Sequence, residues 1–85
     1  MARIFGKQLV GRKVVSDRGT IIGRLSDLSI ETLAGKVIML IISPDSDIDA
    51  QNFTLNDNGE ILIPFNAVKA VKDVLIISES GIPRR

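Results

Sequence analysis

Six consecutive apolar residues, Val37-Ile38-Met39-Leu40-Ile41-Ile42, run unbroken between Lys36 and Ser43-Pro44. Read as a strand, this segment points three apolar side chains to each side. A sheet with one dry face needs only one of those sets. The run therefore asks for a core on one side and some form of cover on the other. The cover could be the chain's own segments Asp45–Gly59 and Phe65–Val71, or another chain. Val74–Ile77 makes the same demand, with Leu75 and Ile77 opposed to Val74 and Ile76. Periodicity does not say which parity faces inward. Methionine is common on adaptable binding surfaces, so we place Val37, Met39 and Ile41 outward. Together with Leu75 and Ile77 they form the candidate interface.

A bilayer-spanning helix needs roughly 20 apolar residues, so the run is far too short for a transmembrane segment. The N-terminal Met1-Ala2-Arg3-Ile4-Phe5 lacks the apolar stretch of a signal peptide, and a cytoplasmic location is the expectation. At 85 residues the chain is one domain, spanning 1–85, with a core about 8–79 and a loose tail 80–85. Cys and His are both absent. Disulfides, thiolate metal sites and the usual general base near neutral pH are thereby excluded. With no Trp or Tyr and only Phe5, Phe53 and Phe65, there is no aromatic platform for stacking bases. The net charge of +1 is not that of a DNA binder.

Turn residues divide the remaining sequence into short strands. Lys13-Val14-Val15 meets the turn Ser16-Asp17-Arg18-Gly19, where glycine suits a positive φ. Thr20 to Thr32 reads as a long strand that changes phase. Ile21, Gly23 and Leu25 share one face, whereas Leu28 and Ile30 fall on the other. Only an extra residue permits that, so a bulge or bend is expected near Ser26-Asp27. Thr32-Leu33-Ala34-Gly35 is a tight connection into the strand Lys36–Ser43. Asp45 to Gly59 reads as a long acidic loop, in which the alternation of Phe53 and Leu55 could mark a short strand. Asn58-Gly59 is a turn pair, and Glu60–Ile63 is a strand stopped by Pro64. Phe65, Val68 and Val71 recur at spacing three, which suits one short helical turn. Val74–Ser78 is the last strand.

The segments Leu9-Val10-Gly11-Arg12-Lys13-Val14-Val15, Asp17-Arg18-Gly19-Thr20-Ile21-Ile22-Gly23 and Leu25-Ser26-Asp27-Leu28 resemble the opening of a PRC-barrel domain. Glu60 to Ile77 resembles the closing half of the short stand-alone archaeal members of that family. The resemblance covers roughly Leu9 to Ile77 and implies a small all-β barrel of about six strands that docks onto other proteins. Some stand-alone archaeal members are implicated in cell division, and another relative is a ribosome maturation factor. The membrane segment of the reaction-centre member and the extra domain of the ribosome factor are not in this sequence. The family shares no catalytic residues to carry over.

Other chemistry is weakly supported. Asp45, Asp47 and Asp49 form a D-x-D-x-D run. A calcium loop would need Gly and Glu where Ala50 and Asn56 stand. Gly19 and Gly23 lack the Lys-Ser/Thr of a phosphate loop and read as a turn glycine and a strand glycine. No catalytic, metal or cofactor residue is assigned. Charge is uneven: Arg3, Lys7, Arg12 and Lys13 lie at one end, while Asp45, Asp47, Asp49 and Asp57 lie in the loop. These blocks could meet within the fold or across a self-association contact, or the basic end could touch RNA or lipid. The expectation is a non-catalytic protein-interaction or adaptor module without cofactor. It would form a homodimer and bind another protein, with an RNA-associated role as the alternative.

Overall fold

The computed structural model describes residues 9–31, 33 and 36–84. Of the expected hairpin connection, Thr32, Ala34 and Gly35 lie outside the described residues, as do Arg3, Lys7 and Phe5. The described strands are β1 (Lys13–Ser16), β2 (Ile21–Glu31), β3 (Lys36–Pro44), β4 (Ile61–Pro64), β5 (Val68–Val71) and β6 (Leu75–Ile77). They form one mixed sheet in the order β4-β3-β2-β1-β6-β5. The pairs are antiparallel except β1–β6, which is parallel.

The expectation of a closed barrel is corrected here. β4 and β5 stand at opposite ends of the order and share no ladder among the described residues. Only the 3₁₀ turn Phe65–Ala67 separates them in the chain. Three residues cannot cross the width of a flat six-stranded sheet, so the sheet curls until its ends approach. Its concave side holds the core. Leu9, Val14, Ile22, Leu25, Leu40, Ile42, Ile61, Ile63, Leu75 and Ile77 are fully buried there. Phe53 from the acidic loop is buried with them, and Ile48 and Leu55 pack against them.

Bulges do much of the curling. The β2–β3 ladder passes from Leu25↔Ile42 to Asp27↔Ile41 and leaves Ser26 unpaired. A second slip lies between Ser29↔Met39 and Ile30↔Val37, leaving Ile38 over. On β5 the register jumps from Val68↔Ile77 to Ala70↔Ile76, leaving Lys69 over. The helical reading of Phe65–Val71 holds for Phe65–Ala67, a 3₁₀ turn, and is corrected beyond it. Val68–Val71 is strand β5, where Val68 and Val71 share a sheet face three residues apart because a bulge lies between them.

Gly19 turns the β1–β2 hairpin with φ at 87°. Gly23 serves a different end. A Cβ built there would lie 1.9 Å from the Ser43 carbonyl oxygen, so only glycine allows β2 and β3 to approach at this level.

The expected loose tail is also corrected. Ile82 is only 6% exposed and belongs to the core. Arg84 bridges to Phe53, and its guanidinium sits 4.9 Å from that ring's centroid while pairing with Glu79 at 3.0 Å. The segment after β6 thus crosses the open end of the curl, with 3₁₀ turns at Ala50–Asn52 and Glu79–Gly81 flanking it. The chain therefore has three such turns among the described residues where one was expected.

Two stability outcomes follow for chemical denaturation. Gly23→Ala lowers unfolding free energy by about 3 kcal/mol, because the neighbour it meets is backbone. Ile82→Ala costs about 2–4 kcal/mol, whereas a loose tail would leave the midpoint unchanged.

Candidate interaction surface

Cross-strand partners share a face, so the registers define what the convex side of the sheet presents. On β3 and β4 it presents the pairs Met39↔Pro64 and Ile41↔Leu62. All four residues are half-buried. They form an apolar quartet, bordered on β2 by Ser29 and Asp27. Across the other strands runs a second apolar row, Ile21↔Val15↔Ile76↔Ala70. Ile21 is 45% exposed. Between quartet and row lies a polar line, Ser43↔Arg24↔Lys13.

The sequence-derived interface residues fall in three places. Met39 and Ile41 lie on the convex side. Val37 is half-buried, but the slip at Ile38 pairs it with Ile30, on the same side as Leu28 and the core. Leu75 and Ile77 are corrected: both are fully buried. β6 is an inner strand between β1 and β5, and its core-facing parity is the one carrying these two residues. The residue it offers outward is Ile76. Sequence reading also missed Leu62, Pro64, Val15 and Ile21. The doublets Val14-Val15 and Ile21-Ile22 and the run Ile61-Leu62-Ile63 carried the same two-sided apolar signal as Val37–Ile42.

The turn and bend residues hold the quartet in place. The unpaired Ser26 hydroxyl donates to the Glu60 carboxylate at 2.7 Å and lies 3.1 Å from the Ile41 carbonyl. The Asn56 amide donates to the other Glu60 oxygen at 3.1 Å, and the Asn56 side-chain oxygen accepts from the Asn58 and Glu60 backbone N–H groups. The β2 bulge is thereby tied to the turn that starts β4. The Ser26 hydroxyl, then the Asn56 amide, stabilise the ionised Glu60 and hold its carboxyl below the usual range. Asp27, beside the bulge, accepts from the Leu28 N–H at 2.8 Å. At the far wing Asp17 is held low as well, first by the Glu79 backbone N–H at 3.1 Å and then by Lys69 at 3.4 Å.

The D-x-D-x-D carboxylates do not converge. Asp45 accepts from the Asp47 N–H and Asp49 from the Gln51 N–H, each at 3.1 Å. Among the described residues no group of three or more acidic side chains is placed to hold a metal. A small cavity of about 130 Å³ lies near the C-terminal segment, lined by Ser16, Thr20, Asn52, Phe53, Glu79 and Arg84 among others. No described helix is long and apolar enough to cross a membrane.

The PRC-barrel domain model matches residues 1–81. The chain belongs to the PRC-barrel family. It is also similar to the uncharacterized protein MJ1118 of Methanocaldococcus jannaschii, with 26% identity over 84 residues, covering 99% of this chain and 91% of that protein. Family membership supports a non-catalytic module. In this member the named architecture is realised as a curled, open sheet.

The Glu60 network has a defined pH signature. Its folded pKa is depressed, so its stabilising contribution is complete above the unfolded pKa. The contribution fades as pH falls through the ordinary carboxylate range towards the folded value. The stability difference between the wild type and Glu60→Gln should therefore shrink as the solution is acidified. Ser26→Ala should raise the Glu60 pKa towards the ordinary range in an NMR titration. An unchanged pKa would show that the Ser26 contact is not made in solution.

Proposed function

We propose that this chain is a non-catalytic protein-interaction module that associates with a second copy of itself and serves as an adaptor for another protein. The observation carrying this reading is the convex side of the sheet. It presents aliphatic side chains in cross-strand pairs, Met39–Pro64 and Ile41–Leu62 on one wing and Ile21–Val15 on the other. Apolar groups clustered on a solvent-facing sheet favour association, at about 25 cal/mol per Å² buried before binding costs. The composition supports the same reading, since the chain has neither Cys nor His. The resemblance to stand-alone archaeal members extends the proposal to an adaptor role in cell division. That extension is read by co-purification with a ring-anchoring division protein from the host.

Sedimentation across the micromolar range tests the self-association. The expected result is a mass that rises with concentration above that of one chain. Met39→Asp combined with Leu62→Asp is expected to abolish capture of the adaptor's protein partner while leaving the fold intact, because neither side chain belongs to the core. A mass fixed at one chain overturns self-association. If that mass is accompanied by RNA retention that weakens as salt rises, the RNA-associated reading replaces it.

A further inference from the structure

Lys13 and Arg24 stand directly opposite each other on the convex side, in the β1–β2 ladder. Like charges in this arrangement repel and weaken the sheet that carries them. Arg24 donates to the Gly11 carbonyl at 3.1 Å, and both residues are exposed. No carboxylate pairs with either of them among the described residues. Two residues further along β1, and three along β2 because its ladder slips past Ile22, comes the apolar row Ile21, Val15, Ile76 and Ala70. Beyond Ile21 the sign reverses. Asp45 and Asp47 share a shallow hollow with Ile21, Thr20 and Gly19. Asp17 at this end is already neutralised by Lys69, and Arg18 is the exposed cation of the turn itself. The convex side of β2-β1-β6-β5 is thus an apolar strip with a basic pair on one flank and an acidic pair on the other.

We infer that this strip is the self-association surface, and that it packs on the same strip of a second copy about a two-fold axis. The inference rests on the self-association proposed above and adds its location and orientation. A surface with cations on one side and carboxylates on the other complements itself when turned through half a revolution. Each Lys13–Arg24 pair then meets the Asp45–Asp47 pair of the other copy, and the two Ile21 rows pack face to face between them. The cation–cation repulsion within each chain is relieved by the partner's carboxylates. This arrangement leaves the Met39–Leu62 wing free, as an adaptor requires.

Charge exchange read by sedimentation tests the inference. Lys13→Glu/Arg24→Glu makes both flanks acidic. Asp45→Asn/Asp47→Lys removes the acidic flank and retains at position 45 the oxygen that accepts the residue-47 N–H. Each double variant alone should self-associate about ten- to hundredfold more weakly than the wild type. An equimolar mixture of the two should regain wild-type affinity as a heterodimer, and all four substitutions in one chain should regain it as a homodimer. Regained affinity also shows that the variants fold. If the double variants self-associate as tightly as wild type, the surface is wrong while the module reading stands. Weakening without rescue on mixing overturns the two-fold arrangement. A wild type that remains a single chain overturns both.

Discussion

The shape of this molecule depends on the three residues Phe65–Ala67. β4 and β5 occupy the two ends of a six-stranded order, yet the chain passes from one to the other through that single 3₁₀ turn. Six strands laid flat would separate the ends by about 24 Å, whereas Pro64 to Val68 can span at most about 14 Å. The sheet must curl, and the curl divides its two sides into a concave core and a convex exterior. The unpaired residues Ser26, Ile38 and Lys69 supply bends, and Gly23 permits the closest strand approach. The segment carrying Ile82 and Arg84 then covers the open end, where closure of the sheet would have needed a sixth pairing.

The same division decides what the protein can do. Burial of one parity of each strand leaves the other parity outside, and in this chain much of that second set is also aliphatic. The convex side consequently offers apolar contact on two wings, with a basic line of Lys13 and Arg24 between them. Among the described residues the acidic side chains of the loop do not gather into a group that could hold a metal. Contact, charge and shape are what the convex side offers, and membership of the PRC-barrel family supports a non-catalytic module.

Much of the strand content was legible in advance because strands and turns are written locally. Gly19 turns where a positive φ is needed. The change of apolar phase between Leu25 and Leu28 coincides with the unpaired Ser26. Errors arose where one pattern has two physical causes. Spacing three at Phe65, Val68 and Val71 fits a helical turn and equally a bulged strand. A polar, proline-containing tail resembles a loose end unless a hydrophobic socket waits for Ile82. The facing of the candidate interface residues was half legible: Met39 and Ile41 lie outside, whereas Leu75 and Ile77 lie inside, since two-sided apolar runs do not mark their own direction.

The sequence by itself determined that the chain is built of short aliphatic strands, that it has neither an imidazole nor a thiol, and that apolar groups exceed what one core can hold. These follow from residue identity and period, which are local properties. Tertiary structure alone decided which parity faces inward, that the sheet stays open, that the tail closes the core, and that Lys13 and Arg24 lie beside one apolar row while Asp45 and Asp47 lie at its other end. Each of these depends on pairings between segments far apart in the chain. Such pairings are set by register and curvature, which no stretch of sequence carries alone.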